Sequence, residues 1–214
     1  ATEAHAEIAN YPFTTIDANH GVMYVRKSCP HTDFKVTCIP HNSKCIDGTR
    51  YVPIEALDVA GLVPDAFKGR GLGNKFLDEL RQAHALIHIV DASGSTDSEG
   101  NPCKPGSYDP LNDIDFLEKE INYWLKGIIK KSWENIARKA QLEGEKIERL
   151  LAEQLTGLGV REAHIQSAIR KIDLKTDKPS MWSDEELFLL ADFIRQRSKP
   201  MLIAFNKVDI AGES

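Results

Sequence analysis

The sequence predicts an α/β fold, a largely parallel sheet with a helical hairpin inserted between two of its strands. Three observations carry this. "ALIHIV" (residues 85–90) and "PMLIAF" (residues 200–205) are continuous apolar runs of strand length, as expected of strands covered on both faces. Between them, and before them, apolar residues recur at three- and four-residue spacing, the period of a helix. Strands alternating with helices in this way favour parallel pairing.

The elements follow in order. "HGVMYV" (20–25) and "RYVPIEALD" (50–58) read as strands. The segment between them is turn-rich, and Asp47-Gly48 is a strong turn signal. A glycine-rich loop, residues 61–73, leads into "NKFLDELRQAHA", where Phe76, Leu77, Leu80 and Ala83 share one helical face. From about residue 110 to 172 the chain is charged and helix-rich. Ile114, Leu117, Ile121, Trp124, Leu125 and Ile128 form one stripe. Ile147, Leu150, Leu151 and Leu155 form another after a polar stretch. Two antiparallel helices and a shorter third fit this pattern. In "MWSDEEL", Ser183 is an N-cap, Glu186 completes a capping box, and Trp182 with Leu187 makes a hydrophobic staple. That helix should run to about Arg197.

Composition sets bounds on function. With 214 residues, 42% hydrophobic and 28% charged, the chain suits one globular domain carrying an insertion. A net charge of -5 leaves no basic footprint for nucleic acid. The apolar runs are too short to span a bilayer, and the first ten residues lack the basic and apolar regions of a signal peptide, so a cytoplasmic setting is expected.

Of the four cysteines, Cys29, Cys38 and Cys45 lie in "CPHTDFKVTCIPHNSKC", with His31 and His41 between them. Without a secretory signal they are not read as a disulfide framework. Thiolates and imidazoles are the usual zinc ligands, but the spacing matches no standard knuckle and no C-x2-C pair occurs. A cysteine-decorated hairpin loop is the preferred reading. A metal-dependent module around Cys29, Cys38, His41 and Cys45 stands as the alternative, to be decided by zinc stoichiometry.

Three short motifs carry chemistry. "FNKVD" places Asn206, Lys207 and Asp209 at the end of an apolar strand, where open α/β sheets bind ligands. A carboxylate there accepts hydrogen bonds from N1–H and the amino group of guanine, whereas adenine presents a lone pair at N1. Asn206 suits the other edge of a base, and the Lys207 stem can cover its face. "LDVAGL" sets Asp58 at a strand end with Gly61 three residues on. The aspartate suits Mg2+ held through water, and the glycine N–H can approach a terminal phosphate. "NYPFTT" offers Thr15, with Thr14 beside it, as a hydroxyl ligand to Mg2+. Threonine loop, D-x-x-G and N-K-x-D occur in the order of switch I, switch II and base recognition in GTPases. "GRGLGNKF" (69–76) lacks the spacing of a phosphate loop and reads as a switch segment. His84 and His88, at or near a buried strand, read as core histidines.

"ANYPFTT", "LDVAGLVPDAFKGRGLGNKFLDELRQA", "LIHIVDASG" and "FNKVD" resemble the Obg-like GTPases, the YchF type and its archaeal-type members in particular. The resemblance extends to "SGSTDSEGNP" and to "DIDFLEKEINYW", and runs along essentially the whole chain. It implies a Ras-like P-loop fold, binding of GTP with Mg2+, slow hydrolysis and association with ribosomes or rRNA; the many charges of the helical insertion read first as a solvated surface, with a docking arm for ribosome or rRNA as the alternative. By position it implies Thr15 and Asp58 as magnesium residues, Gly61 at the γ-phosphate, and Asn206, Lys207 and Asp209 on the base. Many YchF-type proteins have an altered base motif and favour ATP; Asp209 is present here, which favours GTP. Leu62 stands where Ras-like enzymes carry a water-orienting glutamine, and no histidine between Ser93 and Asn112 replaces it. The implied organisation is a first GTPase part (1–109), the helical insertion (110–180) and a base-recognition part (181–214). No G-x-x-x-x-G-K-[ST] occurs in the chain. The expectation is therefore a sequence cut before switch I, without the first strand and phosphate loop, and cut again after N-K-x-D, with weak nucleotide binding of its own. A non-enzymatic helical interaction module with vestigial nucleotide motifs is the alternative.

Overall fold

A computed structural model describes residues 19–59 and 73–211. The chain divides into two compact units, Ala1–Ala60 and Gly61–Ser214.

The first unit is a three-stranded antiparallel sheet in the order β1-β3-β2. Strands β1 (Asn19–Ser28) and β3 (Thr49–Asp58) pair along their full length, from Asn19 opposite Asp58 to Ser28 opposite Thr49. A short strand that the pattern did not reveal, β2 (Lys44–Ile46), pairs on the other side of β3. The predicted Asp47-Gly48 turn joins them. Its residues have φ of 47° and 76°, the left-handed pair that a two-residue hairpin requires to match strand twist. Pro53 lies beyond the end of β2, where β3 has a partner on one side only, so its missing N–H breaks no second ladder. A single helical turn, α1 (His31–Phe34), follows β1.

The second unit contains the parallel pair expected from the two apolar runs. Strands β4 (Leu86–Asp91) and β5 (Met201–Asn206) run in register from Leu86 opposite Met201 to Asp91 opposite Asn206. Helix α2 (Gly73–Gln82) precedes β4 and buries Phe76 and Leu80. Its last carbonyls are capped by a buried lysine: Lys199 Nζ donates to the Ala83 and Arg81 carbonyls at 2.7 and 3.3 Å. The strands are not covered on both faces, as the continuous apolar runs led us to expect. Ile87, Ile89 and Leu202 are exposed on one face of the pair, and Phe205 on the other.

The helical insertion is present and richer than a hairpin plus one helix. It comprises α3 (Leu111–Lys131), α4 (Trp133–Leu142), α5 (Ile147–Leu155) and α6 (Glu162–Ile172). Helix α4 hid in the polar stretch because its buried stripe is only Ile136 and Ala137, with Trp133 at its start stacked on Trp182 at 5.2 Å. Both predicted stripes face inward. One core joins Leu125 and Ile129 of α3, Leu151 and Leu155 of α5, Ile165 and Ile169 of α6, and Leu187, Leu190 and Ile194 of α7 (Asp184–Ser198). The predicted cap of α7 forms as read. Glu186 N–H donates to Ser183 Oγ at 3.1 Å, and Ser183 N–H donates to the Glu186 carboxylate at 2.6 Å. Trp182 and Leu187 are both buried in the same core.

A polar network ties α3 to α7. Arg195, only 2% exposed, donates through Nε to Asn122 at 2.9 Å and pairs through Nη2 with Asp192 and Glu118 at 2.9 and 3.2 Å. Asn122 Nδ2 in turn donates to Asp192 at 3.0 Å. Every member is satisfied, which is what makes a buried charge tolerable. At the start of α7, Lys126 and Lys130 both reach Asp184. This helix therefore delivers the chain into β5 from a fixed position.

Candidate functional site

The carboxyl ends of β4 and β5 lie side by side because Asp91 and Asn206 are register partners. Each strand leads into a loop, and the two loops are bonded through one carboxylate. Asp91 Oδ1 accepts the Ser93 N–H at 3.0 Å and the Ser93 hydroxyl at 2.5 Å. Its Oδ2 accepts the Ser95 hydroxyl at 2.8 Å, the Thr96 hydroxyl at 3.2 Å and the Lys207 ammonium at 2.8 Å. Burial alone would push the Asp91 carboxyl up. The Lys207 ammonium and the Ser93 and Ser95 donors outweigh it and hold the group well below the usual carboxylate range.

The loop after β4 is itself closed by short-range bonds. Gly94, at φ +57°, passes so close to the Tyr108 carbonyl that an added Cβ would lie 2.2 Å from its oxygen. Gly106 N–H donates to Ser93 O at 2.8 Å, and Cys103 N–H to Ser95 O at 2.8 Å. Asp97 accepts the backbone N–H groups of Asn101 and Glu99 at 2.8 and 2.9 Å, which lower its carboxyl. Tyr108, pushed up to about 12 by burial, donates its hydroxyl to Asp113 at 2.8 Å. Asp113 is raised by burial, the Tyr108 bond acting against it.

After β5 the chain turns at once. Lys207 takes a left-handed conformation, φ 57°, and its carbonyl accepts the N–H groups of Ile210 and Ala211 at 3.2 and 3.1 Å. The Lys207 side chain runs from the end of β5 to Asp91 at the end of β4. Asn206 and Asp209, on either side of it in sequence, are exposed, and neither side chain has a hydrogen-bond partner among the described residues. The Lys207 ammonium is thus held at the end of β4, while Asn206 and Asp209 present polar groups that have no partner among the described residues.

The other candidates divide as follows. Asp58 closes β3 in the first unit, exposed and without a partner among the described residues, so its carboxylate oxygens fit a hard cation. Thr14, Thr15, Gly61 and Leu62 lie outside the described residues. His84 is exposed in the turn before β4, not a core histidine. His88 lies within β4, is lowered by burial, and its Nδ1 is buried with no protein partner among the described residues, so it is not a satisfied core histidine either. Cys29, Cys38 and Cys45 do converge, with His31; His41, the histidine named with them from the sequence, is not in the group and is exposed. Sequence reasoning missed Asp91. Its signal was present: an aspartate ending an apolar run, followed by the hydroxyl-rich "ASGST".

Comparison with known proteins places this arrangement. Residues 1–139 match the family described as 50S ribosome-binding GTPase. An uncharacterized GTP-binding protein of Methanocaldococcus jannaschii is 52% identical over 208 residues, covering 97% of this chain and 51% of that protein. The ribosome-binding ATPase YchF of Bacillus subtilis is 31% identical over 209 residues, 96% of this chain and 50% of its own length. The crystal structure of a GTP binding protein from Pyrococcus horikoshii superposes with a TM-score of 0.76 at 39% identity, over 91% of this chain and 52% of that one. The chain spans about half the length of the relatives it matches. Its α/β architecture is that of the Ras-like P-loop GTPases, with a helical insertion. The chain belongs to the 50S ribosome-binding GTPase family, in its Obg-like, YchF-type branch.

Proposed function

We propose that this chain carries the switch and base-reading segments of a Mg2+-dependent GTP-binding protein that acts in the cytoplasm on the ribosome. The observation that carries the reading is the division of labour at the end of β5. Lys207 is bonded to Asp91, while Asn206 and Asp209 stand exposed beside it with no partner among the described residues. Asp209 supplies a carboxylate for N1–H and the amino group of guanine, and Asn206 a contact for the other edge. The relatives' names include both GTP-binding proteins and ATPases. Asp209 is the group that decides between them here, because adenine would leave it facing a lone pair.

In this reading Asp58 and Thr15 hold Mg2+, which when bound neutralises charge on the phosphates. Gly61 allows its N–H to approach the γ-phosphate. Leu62 has no group to orient water, so hydrolysis is slow without a partner. The segments 1–109 and 181–214 serve the nucleotide, and 110–180 is the arm that meets the ribosome. The 214 residues contain no glycine-rich loop ending in Lys-Ser or Lys-Thr, so they bind GTP weakly by themselves. The test is titration of this chain with a fluorescent GTP analogue and Mg2+, followed by displacement with GTP and ATP. Weak binding, with GTP displacing at least about tenfold better than ATP, is expected. Equal displacement by ATP refutes the base reading, and micromolar affinity refutes the dependence on a phosphate loop.

A further inference from the structure

The three cysteines of the first unit meet at one point. Cys29 follows β1, Cys38 lies in the connecting loop, and Cys45 lies in β2 opposite Arg50. His31 opens α1, two residues after Cys29. The ligand atoms of Cys29, His31, Cys38 and Cys45 all lie within 4.8 Å of one another. We propose that these four residues form a closed tetrahedral zinc site that is structural, independent of the nucleotide reading above.

Geometry argues first. The Cys29 and Cys38 sulfurs are 3.6 Å apart, and Cys45 Sγ is 3.7 Å from His31 Nδ1. A tetrahedron with Zn–S of about 2.3 Å and Zn–N of about 2.05 Å has S–S edges of about 3.8 Å and S–N edges of about 3.6 Å. The sulfurs are too far apart for a disulfide, whose length is about 2.05 Å. Three soft sulfurs and one imidazole nitrogen in this shape select zinc over the harder divalent ions.

Charge argues independently. Arg50 donates through Nε and Nη2 to Cys29 Sγ at 3.4 and 3.2 Å, and through Nη2 to Cys38 Sγ at 3.3 Å. A guanidinium only donates, so both sulfurs act as acceptors. Three thiolates and a neutral histidine around Zn2+ leave one net negative charge, and Arg50 balances it from outside the ligand shell. Ser43 Oγ fixes the guanidinium from the other side at 3.1 Å.

The described residues of this unit bury little apolar surface. Among the described residues of this unit, Cys29 is the only fully buried apolar side chain. Phe34 at the end of α1, and Val36 and Ile39 in the loop after it, are 74%, 57% and 77% exposed. A loop with no apolar core of its own is the situation in which a bound metal supplies the folding energy. Four protein ligands fill the tetrahedron, so the site offers no position for a substrate.

The test uses the whole 214-residue chain, purified without chelator and dialysed against metal-free buffer. Elemental analysis should find one zinc per chain, and X-ray absorption a shell of three sulfurs and one nitrogen. Cobalt titration of the stripped protein should give the charge-transfer absorption of a thiolate-bound tetrahedral ion. His31→Ala and Cys45→Ser should weaken zinc at least about tenfold, while His41→Ala leaves it unchanged. Absence of retained zinc together with no thiolate–cobalt absorption overturns the site. So does a Cys29–Cys38 disulfide in the intact mass, or a loss with His41→Ala equal to that with His31→Ala. If the His31 variant does not fold, the absorption spectrum of the unaltered protein and the His41→Ala result decide alone.

Discussion

Asp91→Asn is the substitution that probes the floor of the site most sharply. The amide keeps the shape and one carbonyl oxygen, so the Ser93 N–H and hydroxyl can still be accepted. The other position becomes an NH2. Ser95 and Thr96 hydroxyls can turn to accept from it, but the Lys207 ammonium has donors only and loses its carboxylate, keeping the longer bond to the Ser95 hydroxyl at 3.4 Å. One charge-assisted bond is worth about 1.5–3 kcal/mol. Lys207 is 36% exposed, so part of its loss is recovered by water. The expected cost is about 2 kcal/mol, which at a urea m-value near 2 kcal/mol/M shifts the midpoint by about 1 M. Trp124, Trp133 and Trp182, all the tryptophans of the chain, lie in the second unit, so their fluorescence reports the unfolding of the unit that holds Asp91. Lys207→Met and the double variant complete a cycle, with a coupling of about 1–2 kcal/mol expected. The sign with pH is fixed. Asp91 is depressed in the folded state, so its contribution is present above the ordinary carboxylate value, about 4, and is lost as pH falls through the folded value. The difference between native protein and variant should be flat from about pH 5 to 8 and shrink in acid. A coupling near zero, or a difference that grows in acid, refutes the network as described.

Two further predictions test other parts of the same unit by the same fluorescence assay. Gly94→Ala meets the Tyr108 carbonyl and a left-handed φ, and should cost about 2–4 kcal/mol, whereas Gly144→Ala, left-handed but in open space, should cost about 1 kcal/mol. Ser183→Ala removes the side-chain acceptor at the start of α7 and should cost about 1 kcal/mol, with Glu186→Gln costing less.

What the sequence revealed follows from how each feature is encoded. The α7 cap was readable because Ser183 and Glu186 act within one turn. Strands β4 and β5 were readable because their apolar runs are nearly uninterrupted. Helix α4 was not, because Ile136 and Ala137 make too narrow a stripe and its main anchor is a ring stacked on a residue 49 positions away, Trp133 on Trp182. The exposure of Ile87 and Leu202 was unreadable for the opposite reason: an apolar run says what a strand can bury, not what packs on it. N-K-x-D was legible as a motif, but the bond of its lysine to Asp91 was not, since Asp91 lies 116 residues away. The placement of His31 rather than His41 beside the three cysteines is likewise a matter of how the loop folds, which no spacing rule encodes.

The central claim is that the Asp209 carboxylate reads guanine, and Asp209→Asn tests it most directly. Xanthine keeps N1–H but carries a carbonyl where guanine has its amino group. An asparagine amide matches that pattern with one acceptor and one donor, and a carboxylate does not. One mismatched charge-assisted bond is worth about tenfold to a hundredfold in affinity. Competition against a fluorescent GTP analogue should rank GTP above xanthosine triphosphate on the native chain and reverse that order on the Asp209→Asn variant. An unchanged ranking, or ATP displacing as well as GTP from the native chain, would contradict it.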